Sequence, residues 1–356
     1  MTGRRTFLGE CAAFAAAGCA SARRARRDAV YGELRRQIAE GLMAGCVCGT
    51  VGGPLYAAGE RTRHPVSTPM EEDCIFDLAS VGKTFTAGLC ALLAADGRLD
   101  PDAPFTHYLP EHVLAKGNCT ITVRDLATHT GGFDNSKPYI VADRNTFDRE
   151  LYAKRPVRRR GERFEYACSN YIYLGRIVEH ITGLDLETAA RRLLWEPLGM
   201  RDTCWHEIVG NPRAVETFVN GCLPAGTHGD ESARVYPWAL GNGSAFSTAR
   251  DMLKFADDMI ARRTFPKAYY DLLFTPCWEK GGKRRSFGWD MSAGVHRPAG
   301  WSAATIAHGG FTGNTIAIDP ENGFAGVVLT NRTGDRLKAY EGHCRLLAMM
   351  SESLRQ

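Results

Sequence analysis

The pair of side chains best placed by spacing to do chemistry is in Ser80-Val81-Gly82-Lys83, where a hydroxyl and an amine stand three residues apart. If this stretch opens a helix, a three-residue step returns to the same face and the amine reaches the serine oxygen. A serine hydroxyl is a weak nucleophile until a nearby base takes its proton. A helix N-terminus adds unpaired amides and a positive dipole beside a developing oxyanion. A capping serine followed by a solvated lysine produces the same pattern, so spacing alone does not separate acyl transfer from helix capping.

Other reactive residue types are less organised. The twelve cysteines are scattered through apolar or mixed segments, as small buried hydrophobes are, and their spacings form no compact disulfide framework. Cys46-Val47-Cys48 sends both sulfurs to one face of a strand, with no second pair nearby, so no structural zinc is expected. Lys154-Arg155-Pro156-Val157-Arg158-Arg159-Arg160 is the one dense basic run. It reads as a solvated loop that would attract acidic polymers if it bordered a cleft. The net charge of +4 over 356 residues is too small, and too dispersed, to indicate a nucleic-acid partner.

The elements that must position Ser80 and Lys83 follow from hydrophobic periodicity. From Asp28 to Met43, Val30, Leu34, Ile38 and Leu42 recur every four residues and predict an amphipathic helix. Gly45 to Val51 predicts a strand, turning at Gly52-Gly53-Pro54 into a second through Leu55 and Tyr56. Near the other end Thr315–Ile318 and Gly326–Leu329 flank the turn Asp319-Pro320-Glu321-Asn322-Gly323. A last helix runs through Tyr340, Leu346, Leu347 and Met350. Strands from both ends of the chain imply one antiparallel sheet flanked by helices, an α/β (α+β) fold. Between them, Ser80–Asp96 and Asn170–Thr182 have helical periods and stop at Gly97 and Gly183. The expected organisation is a sheet domain from 28–79 and 285–356, with a mainly helical insertion over 80–284.

Residues 1–27 differ in character. Paired arginines at Arg4-Arg5, a short apolar run and small residues before Cys19 form the pattern of an export signal similar to a twin-arginine one, with Cys19 a candidate lipid-attachment site that would tether the protein to a membrane. Arg23, Arg24, Arg26 and Arg27 then read as a solvated tether. A protein that folds before export fits reduced thiols.

The residues around Ser80 carry a family resemblance. Phe76-Asp77-Leu78-Ala79-Ser80-Val81-Gly82-Lys83-Thr84-Phe85-Thr86-Ala87 resembles the nucleophile segment of class C β-lactamases and the related esterases and DD-peptidases, with Gly82 where that family often has threonine. Segments similar to others of the family follow in order: Ile121 to Gly132, Trp195 to Met200 with Asp202-Thr203, and Ala245 to Asp251. Within the first, His129 is expected to be a hydrogen-bonded packing residue.

The resemblance implies a β-lactamase/transpeptidase-like fold and names further site residues. Matching Tyr171 and Leu174-Gly175 makes Tyr166 the proton-handling tyrosine and puts Cys168 where the family has asparagine. A thiol is a weak substitute for both the donor and the acceptor of an amide. His308-Gly309-Gly310-Phe311 is similar to the family's substrate-binding strand. His308 then stands in place of a lysine, Gly310 lets the substrate lie along the sheet edge, and the Phe311 amide joins that of Ser80 in an oxyanion hole. The activity implied is acyl transfer through acyl-Ser80 with Lys83 and Tyr166 moving protons and no metal or organic cofactor. A carboxylester is favoured over β-lactams or D-Ala-D-Ala peptides, because His308 and Cys168 weaken carboxylate and amide contacts. A non-catalytic protein binding cell-wall fragments is the alternative from another class.

Overall fold

In the computed structural model the described residues are 21–354, apart from 22, 137–142, 220, 237, 295 and 353. Cys19 and the export-signal pattern lie outside them.

The strands are β1 (Met43–Thr50), β2 (Leu55–Thr62), β3 (Thr68–Pro69), β4 (Ile75–Asp77), β5 (Phe246–Thr248), β6 (Trp278–Lys280), β7 (Lys283–Ser286), β8 (Trp289–Asp290), β9 (Ile306–Gly310), β10 (Asn314–Asp319) and β11 (Phe324–Arg332). Nine of them form one sheet, in the order β3-β2-β1-β11-β10-β9-β8-β7-β6, and β4 and β5 pair separately. The two chain ends meet where β1 runs antiparallel to β11, with Val47 opposite Leu329 and Cys48 opposite Val328. The sheet takes up the chain again at Trp278, ahead of the boundary expected at residue 285.

The helices are α1 (residues 23–39), α2 (Lys83–Ala95), α3 (Val123–Ala127), α4 (Arg144–Ala153), α5 (Cys168–Thr182), α6 (Leu186–Ala190), α7 (Glu231–Val235), α8 (Ala249–Ala261), α9 (Lys267–Phe274) and α10 (Arg336–Glu352). Strand alternation divides them between the faces of the sheet. Val47, Ile316, Ile318, Val327 and Leu329 face Met252, Phe255 and Met259 of α8 and the main core beyond. Cys46, Cys48, Ala317 and Val328 face Val30 and Leu34 of α1 and Leu346, Leu347 and Met350 of α10. All ten cysteines among the described residues are free thiols.

Two helix starts differ from expectation. Helix α1 takes in Arg23–Arg27, read from sequence as a tether, and ends before Gly41, whose φ of 70° turns the chain into β1. The Ser80 segment is a 3₁₀ turn, Ala79–Gly82, that runs into α2 only at Lys83. Among the described residues no helix is long and apolar enough to cross a membrane.

Candidate active site

The turn that presents Ser80 is held from four sides. Asp77 is buried at the end of β4, where its Oδ1 accepts the Ala79 N–H at 2.8 Å and its Oδ2 the Gly229 N–H at 2.6 Å. Burial nevertheless raises its pKa above the ordinary carboxylate value. The Asp77 carbonyl accepts from Thr312 Oγ1 (2.8 Å) and Asn314 Nδ2 (2.7 Å), which ties the β9–β10 turn to the Ser80 segment. Ala79 has φ of 46°, a left-handed conformation costing a β-carbon-bearing residue about 1–2 kcal/mol. Its carbonyl accepts the Ser244 N–H at 2.9 Å. Contacts on both sides thus hold a conformation that local preference disfavours.

Ser80 Oγ shares a 2.6 Å hydrogen bond with Tyr166 Oη and accepts one of 3.2 Å from Lys83 Nζ. Lys83 has no solvent exposure. It also donates to the Asn242 carbonyl and, at 3.8 Å, to Cys168 Sγ, and its ammonium lies 4.9 Å from the Tyr166 ring centroid and 5.6 Å from that of Tyr171. Burial works against the lysine charge, but the neighbouring Cys168 and Tyr166 outweigh it and its pKa lies above the ordinary lysine value. Burial also raises the Tyr166 phenol, with Lys83 pulling the other way. At neutral pH the site therefore holds a lysine cation and a neutral phenol, stabilised by a carbonyl and two ring faces.

These groups border a cleft of about 690 Å³ whose walls include Ser80, Tyr166, Cys168, Asn135, Gly309 and Phe311. Lys283, His296, Arg336 and Tyr340 also line it. Such a cavity admits a small molecule or the end of a peptide.

A model of the β-lactamase family matches residues 37–348. The chain belongs to the β-lactamase family. It is 30% identical to Esterase EstB of Burkholderia gladioli, over 89% of this chain and 91% of the esterase. The fold is similar to that of EstCE1, described as a hydrolase with promiscuous acyltransferase activity, with a TM-score of 0.76, 20% identity and 92% and 98% of the two chains covered. A class C β-lactamase matches at the same TM-score, with 18% identity and the same coverage. The protein is a serine hydrolase of β-lactamase fold.

Each place where this member departs from the family pattern has a visible setting. A β-carbon at Gly82 would come within 3.1 Å of Gly243 Cα, and one at Gly243 within 2.5 Å of the Ala79 carbonyl. The paired glycines let the 241–245 loop lie directly on the nucleophile turn and bring the Asn242 carbonyl to Lys83. Cys168 lines the cleft, whereas Asn170 turns inward, its Nδ2 lying 3.1 Å from His129 Nδ1. His129 has no exposure. Its Nδ1 also accepts the Ala167 N–H at 3.2 Å, and its ring lies 4.6 Å from that of Tyr166. Burial, then the charges of Arg285 and Lys83, push its pKa well below the usual histidine value, so it is a neutral packing residue that holds the tyrosine segment.

His308 is 6% exposed on β9 and is not among the residues lining the cleft, and burial followed by the charge of Lys83 keeps it neutral, so it offers no positive charge where the family's lysine would. Gly310 is where no side chain fits, since a β-carbon there would lie 2.4 Å from the Leu78 carbonyl. The basic run also has an internal use. Lys154 pairs with Asp134 (3.1 Å), Arg158 with Glu165 and Arg160 with Asp125, and none of the run lines the cleft.

Sequence reasoning did not find Asn242, Asn135, Lys283, His296 or Arg336. Asn135 Oδ1 accepts the Cys168 N–H at 2.8 Å. Asn135 follows the Gly131-Gly132 turn of a segment read as structural, and the other four lie on segments with no motif.

Proposed function

We propose that this protein hydrolyses carboxylesters or related acyl compounds through an acyl-enzyme on Ser80. The observation that carries this reading is the double engagement of Ser80 Oγ, by the Tyr166 hydroxyl at 2.6 Å and by the buried Lys83 ammonium at 3.2 Å. Loss of one proton from the Tyr166–Lys83 pair makes it a base for the serine hydroxyl. Ser80 Oγ then attacks the acyl carbon, and its proton passes to the pair. The carbonyl oxygen becomes an oxyanion held by the main-chain amides of Ser80 and Phe311. The same proton goes to the departing alkoxide, leaving acyl-Ser80, and water repeats the sequence to release the acid. This chemistry calls on no metal or organic cofactor.

A neutral, buried His308 and a thiol at Cys168 favour an ester over substrates recognised by a carboxylate and an amide. Lys283 and Arg336 stand in the cleft beside Asp230, Glu231 and Asp290, and a second reading, in which a carboxylate-bearing β-lactam or peptide is accepted, would use those two cations. A purely binding role leaves the convergence of three proton-handling groups without a purpose. Residues 1–27 are taken as an export signal and tether that direct the enzyme to the cell envelope, with Cys19 a candidate lipid-attachment site. The sheet of both chain ends and the helical segment between them are taken as two lobes with the cleft at their junction.

The deciding experiment is turnover of p-nitrophenyl esters, nitrocefin and D-Ala-D-Ala peptides, with Ser80→Ala as control and mass spectrometry of fluorophosphonate adducts. Ester turnover that dominates the panel and vanishes with Ser80 supports the assignment. Labelling of folded protein at another residue, or at none, overturns it.

A further inference from the structure

A second cluster of reactive side chains lies apart from the cleft, where the β2–β3 connection meets Glu216 and Cys222. His64 Nδ1 is 2.9 Å from Glu216 Oε1 and 3.2 Å from Cys222 Sγ, and Cys222 Sγ is 2.7 Å from the same carboxylate oxygen. The Glu216 side chain is 3% exposed and His64 65%, and Cys222 is also exposed, so a buried carboxylate forms the floor of a site open to solvent. The second carboxylate oxygen accepts the Arg63 N–H at 2.5 Å and the His64 N–H at 3.3 Å, which fixes the orientation of the first. The loops are joined by main-chain bonds from Glu216 N to the Arg61 carbonyl (3.0 Å) and from Leu223 N to the Thr217 carbonyl (2.8 Å).

We propose that His64, Glu216 and Cys222 form a site for zinc or a similar borderline-soft divalent cation, with solvent as fourth ligand. One imidazole nitrogen, one carboxylate oxygen and one sulfur, each with a lone pair, meet around a common centre. The three distances put each atom about 1.7 Å from that centre, so an ion at bond lengths of about 2.0–2.3 Å caps the triangle about 1.1–1.5 Å above its plane, on the side open to solvent. A mixed N, O, S set selects zinc over calcium or magnesium, which take oxygen. The amides on Glu216 Oε2 serve as the outer contacts that orient a metal-binding carboxylate. On binding, the Cys222 thiol releases its proton to solvent, and thiolate and carboxylate together balance the 2+ charge with no change of oxidation state. The bound ion cross-links the two loops. Cysteine spacing gave no hint of it, because the donors are three residue types at positions 64, 216 and 222. A looser cluster of Glu187, Cys204 and His206 is a built-in comparison, since its thiol donates to the His206 carbonyl (3.6 Å) instead.

The test uses the full chain, reduced and stripped of metal, with zinc binding followed by equilibrium dialysis and cobalt(II) by absorption. The expected result is one zinc per chain, weakened by about a hundredfold or more in Cys222→Ser and in His64→Ala. Cys204→Ser should leave it unchanged. Cobalt should give a thiolate charge-transfer band in the near ultraviolet that is absent from Cys222→Ser. Both test positions are exposed, so circular dichroism should match wild type. Zinc binding unchanged in Cys222→Ser and His64→Ala, a cobalt band that survives Cys222→Ser, or loss of binding in Cys204→Ser would overturn the proposal.

Discussion

Replacing Gly310 by alanine tests how far catalysis depends on the seating of β9 against the nucleophile turn. The added methyl carbon would lie 2.4 Å from the Leu78 carbonyl oxygen, where about 3.3–3.6 Å is needed, so a gap of about 1 Å must open. Neither side yields easily. Asp77, one residue before Leu78, is tied to Thr312 and Asn314, and the Gly310 carbonyl accepts from Tyr340 Oη at 2.8 Å. The strand carrying the Phe311 amide therefore moves away from Ser80. A misplacement of about 1 Å costs about 10²-fold in rate, comparable with losing one oxyanion donor. Gly309→Ala is the control, because its methyl would meet the side chains of His296 at 2.5 Å and Tyr340 at 3.1 Å rather than main chain. We expect kcat for p-nitrophenyl acetate to fall about 10²-fold in Gly310→Ala and less than about tenfold in Gly309→Ala. Fluorophosphonate labelling of Ser80 should slow in parallel, with unfolding in urea showing a loss of about 1–3 kcal/mol for Gly310→Ala. A folded Gly310→Ala enzyme within about threefold of wild-type kcat would refute both the seating argument and the Phe311 amide as oxyanion donor.

Tyr166→Phe should lower kcat by about 10²–10⁴-fold with little change in unfolding free energy. Because the active form has lost one proton from a pair whose members are both shifted upward, log(kcat/KM) should climb with pH through neutrality, and a plateau already reached below pH 7 would contradict the proton assignment. Cys168→Asn should raise nitrocefin turnover relative to ester turnover by up to about tenfold, the worth of one neutral hydrogen bond, and an unchanged ratio would remove Cys168 from specificity. His343, fully buried with Nδ1 2.8 Å from Thr315 Oγ1, is pushed from 6.5 down to about 3 by burial. A base depressed in the folded state keeps its stabilisation above 6.5 and loses it as pH falls from 6.5 toward 3, by about 2 kcal/mol at pH 5. Urea unfolding at pH 7 and pH 5 should show that loss reduced by about this amount in His343→Gln, and an identical pH dependence in the variant would exclude the histidine as its source.

Much of the scaffold was legible because it rests on period and punctuation. The β1–β2 and β10–β11 hairpins show as apolar runs around glycine turns, and α2 and α5 as stripes ending at Gly97 and Gly183. Strands β6 to β8 have two to four residues each, too few for a period to register, and so the return to the sheet at Trp278 was placed late. At Ala79 tertiary contacts impose a left-handed backbone that no local preference announces. Ser80, Lys83, Tyr166 and Cys168 were reachable through motifs. His308 was placed on its strand by the motif, but its burial was not legible, because spacing locates a residue on a strand without saying which neighbours cover it. The cleft cations Lys283 and Arg336 come from a hairpin and a helix start that only the folded sheet brings together.

The two departures closest to the nucleophile, Gly82 and Cys168, have opposite consequences. An asparagine at 168 would offer Lys83 a carbonyl acceptor and the substrate an amide donor. The acceptor is already present, because the glycines at 82 and 243 let the main chain close on the Ser80 turn until the Asn242 carbonyl accepts a hydrogen bond from Lys83. A main-chain acceptor for the lysine is thus present without an asparagine at 168, and the sulfur at 3.8 Å adds a weak hydrogen bond. What remains lost is the donor facing the cleft. A substrate whose affinity relies on an amide carbonyl suffers from that loss, whereas an ester held by its acyl carbon and oxyanion does not. On the proposed mechanism Cys168 therefore bears on the choice of substrate and, through its effect on the Lys83 charge, on the Lys83–Tyr166 pair.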